Sequence, residues 1–217
     1  MTAPCIARSV RLMESFNAHP LTLERWEDLV TVFGGGDGKG ECGRCWCMWW
    51  RLPREAGLGA TLGAGGPGEN KARFRSIVEA GPPPGLIGYA AGEPVGWVQV
   101  GPRAAVPEWN APKRLTAPTD AADAADPRVW GISCFVVRSG RRRRGHGAAM
   151  LDAAIAWARE RGARRLDACP VEAASGGAKK AASALYHGVA AQFFERGFVE
   201  IARRKADRPV VSLDLHA

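Results

Sequence analysis

Long apolar runs are absent from this chain. No stretch of its 217 residues approaches the roughly 20 apolar positions that span a bilayer. The imbalance of a disordered chain is absent too, since 46% apolar and 24% charged residues make a globular composition. Residues 1–17 carry Glu14 and no sustained apolar core, so no export signal is read there. The expectation is a soluble, cytoplasmic chain forming one domain over residues 1–217. Histidine is scarce, with four in the chain. Of the six cysteines, three fall in Cys42-x-x-Cys45-x-Cys47. Without an export signal a disulfide framework is disfavoured. A zinc site wants four ligands, and the nearest histidine, His19, has no ligand-like spacing. No metal is therefore expected, and these cysteines read as small buried residues of an aromatic-rich segment.

The positive charge is unevenly spread. Residues 1–126 hold 13 Lys/Arg and 14 Asp/Glu, residues 127–217 hold 17 and 8, and the net +8 is thus −1 and +9. The second part suits a polyanion or a phosphate-bearing small molecule, although GC-rich codon usage would also raise arginine.

Gly34–Gly40, Gly57–Gly68 and Pro102–Pro127 read as loops. Cys5–Arg11 reads as a short strand. Leu21–Phe33 reads as a helix with Thr22 as its cap. Cys45–Trp50 reads as extended and buried, with its tryptophans either stapling the first helices to a sheet or walling a pocket. Glu69–Ala80 is a helix stopped by Gly81-Pro82. Gly85–Ala91 and Val95–Gly101 form a hairpin across Gly92-Glu93-Pro94. Val129–Arg138 is a central strand with an apolar run from Ile132 to Val137. Gly147–Arg161 is a helix, Arg165–Cys169 a strand, Ser183–Arg196 a helix, and Phe198–Arg204 with Pro209–Leu215 a last hairpin. The order gives an α/β domain on a mixed sheet.

The chemistry concentrates in Ile132 to Met150, where an apolar strand runs through Arg141–Arg144 and Gly145-His146-Gly147 into a helix. The glycines allow close approach of a ligand to the backbone. The amides from Arg143 to Ala148 at a helix start form an anion site suited to a pyrophosphate. This loop has neither a following Lys-Ser/Thr nor the G-x-G-x-x-G spacing, which disfavours the nucleotide P-loop and the dinucleotide fold.

Arg142-x-x-Gly145-x-Gly147 resembles the R/Q-x-x-G-x-G/A acyl-CoA signature of the GNAT superfamily of N-acetyltransferases. The hairpin with Glu93-Pro94-Val95-Gly96-Trp97 and the segment Phe193-Phe194-Glu195-Arg196-Gly197-Phe198 are similar to that family's second and third strands and to its L-Y-x-x-x-G-F ending. The likeness is good over 69–217 and loose over 1–68, where the Cys/Trp-rich stretch looks like that of a bacterial subgroup.

The resemblance implies a three-layer α/β domain. Its mixed, mostly antiparallel sheet is flanked by helices and splays between the fourth and fifth strands. It implies acetyl-CoA as co-substrate. Phe135, Val136 and Val137 would meet the pantetheine arm, and Arg142, Arg143, Arg144, Gly145, His146, Gly147 and Ala148 the pyrophosphate. An amine would attack the thioester directly, as an oxyanion develops near a backbone amide. Where the family often places a proton-donating tyrosine, this chain has Phe193. Tyr186, two turns earlier on the expected helix, is the candidate acid, and Glu172 the candidate base. A non-catalytic acyl-CoA-binding regulatory module is the alternative. Nucleic-acid binding is disfavoured for want of a groove-reading motif, no membrane partner is expected, and a homodimer stays open.

Overall fold

The computed structural model describes residues 15–34, 43–52, 67–172 and 185–216. Its elements are β1 (Phe16–Pro20), α1 (Trp26–Val32), α2 (Pro67–Ala80), β2 (Gly85–Ala90), β3 (Glu93–Pro102), β4 (Val129–Val137), α3 (His146–Glu160), β5 (Arg165–Ala168), α4 (Ala190–Phe194), β6 (Val199–Lys205) and β7 (Arg208–Asp214). These strands form one sheet in the order β1-β2-β3-β4-β5-β7-β6. The β4–β5 pair is parallel and the other pairs are antiparallel. β4 pairs with β5 only from Val129 to Ile132, while its own strand continues to Val137. Beyond Ile132 the two strands part, which is the splay expected between the fourth and fifth strands.

Alternation along the strands feeds a core on each face. Val98 and Val100 of β3 join Met150, Leu151, Ala154 and Ala158 of α3 on one side. Trp97, one residue before Val98 and so on the opposite face, joins Trp26 and Leu29 of α1 and Phe74 of α2 on the other. The apolar stripe of α3 and the Phe74/Val78 face of α2 thus cover opposite faces, giving three layers.

Local chemistry sets several boundaries differently from the sequence reading. The expected strand Cys5–Arg11 lies outside the described residues. A short edge strand, β1, is present instead and pairs with β2. Its half-buried Phe16, Ala18 and Pro20 alternate with exposed Asn17 and His19, and an edge tolerates so short a strand ending in proline. Thr22 stands before the first turn, but its hydroxyl caps no amide and accepts instead from Arg25 at 3.3 Å. Cys45–Trp50 is well packed yet not extended. It is a turn with Trp46 and Cys47 at φ 46° and 50°, closed by the Met48 amide donating to the Cys45 carbonyl at 2.7 Å. The turn sends Trp46 fully into the core, stacked 5.8 Å from Trp26. The β2–β3 turn is Ala91-Gly92, with φ 51° and 79°, the paired left-handed conformation that two-residue hairpins favour.

The largest departure concerns Ser183–Arg196. Among its described residues, 185–196, only Ala190–Phe194 is helical, and residues 185–188 form a turn. Tertiary hydrogen bonds outweigh helical propensity here. The Val171 amide donates to the Gly188 carbonyl at 3.0 Å, the Ala190 amide to the Val171 carbonyl at 2.8 Å, and the Phe135 amide to the Tyr186 carbonyl at 2.6 Å. Gly188, at φ 77°, makes the turn possible.

Candidate functional site

The loop from β4 to α3 is built for close approach. Gly145 is the N-cap of α3 in the left-handed conformation, φ 86°, and Arg143 shares that region at φ 59°. The first bond within the helix is the Ala149 amide to the Gly145 carbonyl at 3.1 Å. The amides of Gly147 and Ala148 precede it and head the helix dipole. A Cβ at Gly147 would lie 3.9 Å from the Gln192 side chain of α4, so space beside this turn is open. Arg143, Arg144 and Gly145 are exposed, whereas His146 is buried and stacks 6.1 Å from Phe16. Arg142 donates from Nε to the Val137 carbonyl at 3.1 Å, and Arg141 pairs with Glu93, so both arginines brace the loop.

Successive backbone groups of a strand point to opposite sides. The Arg138 amide donates to Val95 of β3 at 2.9 Å, so the Val137 amide faces the splay and that of Val136 faces β3. The Phe135 amide also faces the splay, where the Tyr186 carbonyl holds it. Of the three residues expected at the pantetheine arm, Phe135 and Val137 therefore present backbone donors to the gap, and Val136 presents its groups to β3.

Tyr186 is a turn residue rather than a helical one, so the two-turn helical spacing to Phe193 does not hold. Its half-buried ring packs on the core shared by α1, α2 and Trp97. Phe193 is wholly buried between Phe135 and Phe198, with ring centroids at 6.1 and 5.1 Å, and serves packing. Glu172 accepts two bonds from Arg203, at 2.8 and 3.0 Å. That bidentate pair ties the end of β5 to the β6–β7 hairpin. His187, 6.0 Å from the Trp50 ring, is pushed down to about 4, first by burial and then by the nearby Arg208 charge. Cys47 accepts from the Trp97 indole at 3.1 Å. Cys42 lies outside the described residues.

Two features were not foreseen from the sequence. The first is a cavity of about 320 Å³ on the α1/α2 face of β3 and β4, lined among others by Arg51, Pro82, Gln99, Val106 and Ser133. Gln99 and Ser133 are 2% and 1% exposed, and their side-chain polar atoms have no hydrogen-bond partner. Ser133 is the extra residue where the β3–β4 register jumps from Gln99↔Cys134 to Val100↔Ile132, a bulge that re-aims its side chain. Arg51 reaches the Ala105 carbonyl at 2.6 Å, leaves its Nε unpartnered, and is held down to about 10 by burial, against the opposing pull of Cys47. A polar residue inside an apolar strand, twice over, was the available signal.

The second is the organisation of Pro102–Pro127. Arg103, fully buried, donates to Asp167 at 2.8 Å, Asn110 at 3.0 Å and the Thr116 carbonyl at 2.6 Å, and stacks 4.5 Å from the Trp109 ring. This assigns Asp167 to an ion pair. Among the described residues no group of His, Cys, Asp and Glu is arranged to hold a metal, and no helix is long and apolar enough to cross a membrane.

The sequence profile described as the acetyltransferase (GNAT) family matches residues 48–181, more than half of the chain. An N-acetyltransferase from Staphylococcus aureus Mu50 is similar in structure, with a TM-score of 0.50, 14% identity, and coverage of 93% of this chain and 99% of the other. A GCN5-related N-acetyltransferase from Kribbella flavida gives 0.50 at 15% identity, covering 92% and 97%. At these identities the likeness is one of fold. No curated protein matches the sequence.

Proposed function

Because the chain belongs to the acetyltransferase (GNAT) family, we propose that it transfers the acetyl group of acetyl-CoA to a primary amine by direct attack. The observation that carries this reading is the β4 edge that β5 leaves unpaired at Phe135 and Val137, continuous with the left-handed Gly145 cap and the first turn of α3. The amides of Gly147 and Ala148, with Arg143 and Arg144 nearby, suit the pyrophosphate. The Phe135 and Val137 amides suit the pantetheine arm and the thioester carbonyl. The Leu185–Val189 turn has to release the Phe135 amide before the arm can take it.

In the reaction the amine nitrogen bonds to the carbonyl carbon, an oxyanion forms beside a backbone donor, and the carbon–sulfur bond breaks. The leaving thiolate takes one proton and the attacking nitrogen loses one. Tyr186, on the turn that meets β4 at Phe135, is the proposed donor. Glu172 has both oxygens engaged by Arg203, so no proton is routed through it. The amine then enters neutral, its proton passed to solvent.

A second reading, an acyl-CoA-binding module without turnover, draws on the burial of Phe193 and the engagement of Glu172. Thiol release from acetyl-CoA with an amine panel, beside a thermal shift with acetyl-CoA alone, separates the two. A melting shift with turnover supports the enzyme, and a shift without any turnover supports the module. No shift at millimolar acetyl-CoA, with a shift from NAD or ATP instead, removes both.

A further inference from the structure

Resting on the acetyltransfer reading, we infer that the Arg51–Gln99–Ser133 cavity is the acceptor site and that its acceptor is a small amine carrying a carboxylate. Gln99 and Ser133 sit on the central strands with every side-chain polar atom unpartnered. A native fold rarely leaves buried amide and hydroxyl groups unsatisfied, because each loses its hydration without return. Two such residues, beside an Arg51 whose Nε also lacks a partner, line one cavity and mark a place where an occupant completes the hydrogen bonds.

The position fits the chemistry. Ser133 precedes Phe135 by two residues on β4, roughly 7 Å along the strand. A small molecule seated on Ser133 is therefore within reach of a thioester at the splayed edge. The volume of about 320 Å³ lies at the low end of ligand pockets, which run from about 300 to 1,000 Å³. It suits a molecule of amino-acid size and not a folded peptide segment or a multi-ring sugar.

Charge narrows the class. The described lining contains Arg51 and no Asp, Glu or His. A polyamine would find no counter-charge there, whereas a carboxylate would find the guanidinium and its unused Nε donor. Arg51 also works on the reacting group. A like charge disfavours the ammonium form of the incoming amine and favours the neutral nucleophile. That effect meets the need left by the engagement of Glu172. Gln99 and Ser133 offer both donors and acceptors to the amine and carboxylate, and Pro82, Pro83, Pro84 and Val106 provide apolar walls.

The test compares α-amino acids with their carboxamides and with the corresponding decarboxylated amines, each with acetyl-CoA. Preferred amino acids should exceed their carboxamides and amines at least tenfold in kcat/KM. Arg51→Gln should abolish that preference and Arg51→Lys restore part of it. Gln99→Leu gives a readout apart from activity, because removing two unpartnered polar atoms should raise Tm while the KM for the acceptor rises and the Kd for acetyl-CoA stays unchanged. Equal or better turnover of carboxamides or plain amines overturns the inference and leaves acetyl transfer standing. So does Gln99→Leu with an unchanged acceptor KM. A protein that binds acetyl-CoA and acetylates none of these amines loses the acetyltransfer reading and this inference together.

Discussion

Asp167→Asn should cost the fold far more than an ordinary surface change. Arg103 and Asp167 have side-chain exposures of 0% and 1%, and their contact is 2.8 Å. The substitution keeps the shape and deletes the charge, so the guanidinium remains buried without its counter-ion. Removing one partner of such a pair typically costs about 3–5 kcal/mol. The remaining bonds to Asn110 and the Thr116 carbonyl, and one to the new carboxamide oxygen, place this site near the lower figure. About 3 kcal/mol corresponds to a Tm decrease of roughly 6–12 °C for a chain of this size. Urea denaturation and calorimetry read both quantities. The double variant Arg103→Met/Asp167→Leu should be less damaged than Asp167→Asn, since it buries no lone charge. Because Ala105 and Val106 line the cavity beside this loop, the single variant should also raise the acceptor KM. A loss below about 1 kcal/mol would refute the argument, as it would mean that water or a rearranged loop solvates Arg103.

Three further outcomes are expected. Gly145→Val, forced to φ 86°, should raise the acetyl-CoA dissociation constant at least tenfold, about 1.4 kcal/mol. Calorimetric titration of the folded variant checks this, and unchanged affinity would show that the loop does not hold the phosphates. Tyr186→Phe should lower kcat by roughly 10² to 10⁴ while acetyl-CoA binding is kept. A loss under about threefold would pass the proton transfer to solvent. His187, pushed by burial from the usual 6.5 to about 4, binds its proton more weakly in the folded state than in the unfolded one. Stability should therefore be intact above pH 6.5 and fall as pH drops through 6.5 towards 4. An NMR titration of the ring with a midpoint near 6.5 would contradict this.

What the sequence made legible was periodic or local. The helix Gly147–Arg161 with its stripe of Leu151, Ala154, Ile155 and Ala158, the hairpin Gly85–Gly101 and the Arg/Gly loop each write their conformation into neighbouring residues, and each forms close to its expected bounds. What stayed hidden depends on distant partners. Pro102–Pro127 has no period because its order comes from one arginine reaching Asp167, 64 positions away. Tyr186 reads as part of a helix that runs through Gly188, but Phe135 of β4 and Val171 beyond β5 claim the backbone of that segment and Gly188 turns it.

The candidate site divides in the same way. The phosphate loop announces itself through glycine and arginine spacing, which is chemistry held within seven residues, Arg141 to Gly147. The acceptor cavity is assembled from Arg51 after a turn, Gln99 on β3 and Ser133 at a bulge on β4. Each breaks its local pattern, as a charge beside half-buried tryptophans, an amide in an apolar strand, and a hydroxyl in an apolar run. Taken singly, each break is a small defect in a core segment, to be offset by a hydrogen bond elsewhere. Folding removes that explanation for Gln99 and Ser133, because it brings them together and gives neither a partner. Local rules fail most often where a protein needs something other than stability. The same two residues that weaken the core are therefore the ones whose replacement should strengthen it at the expense of acceptor recognition.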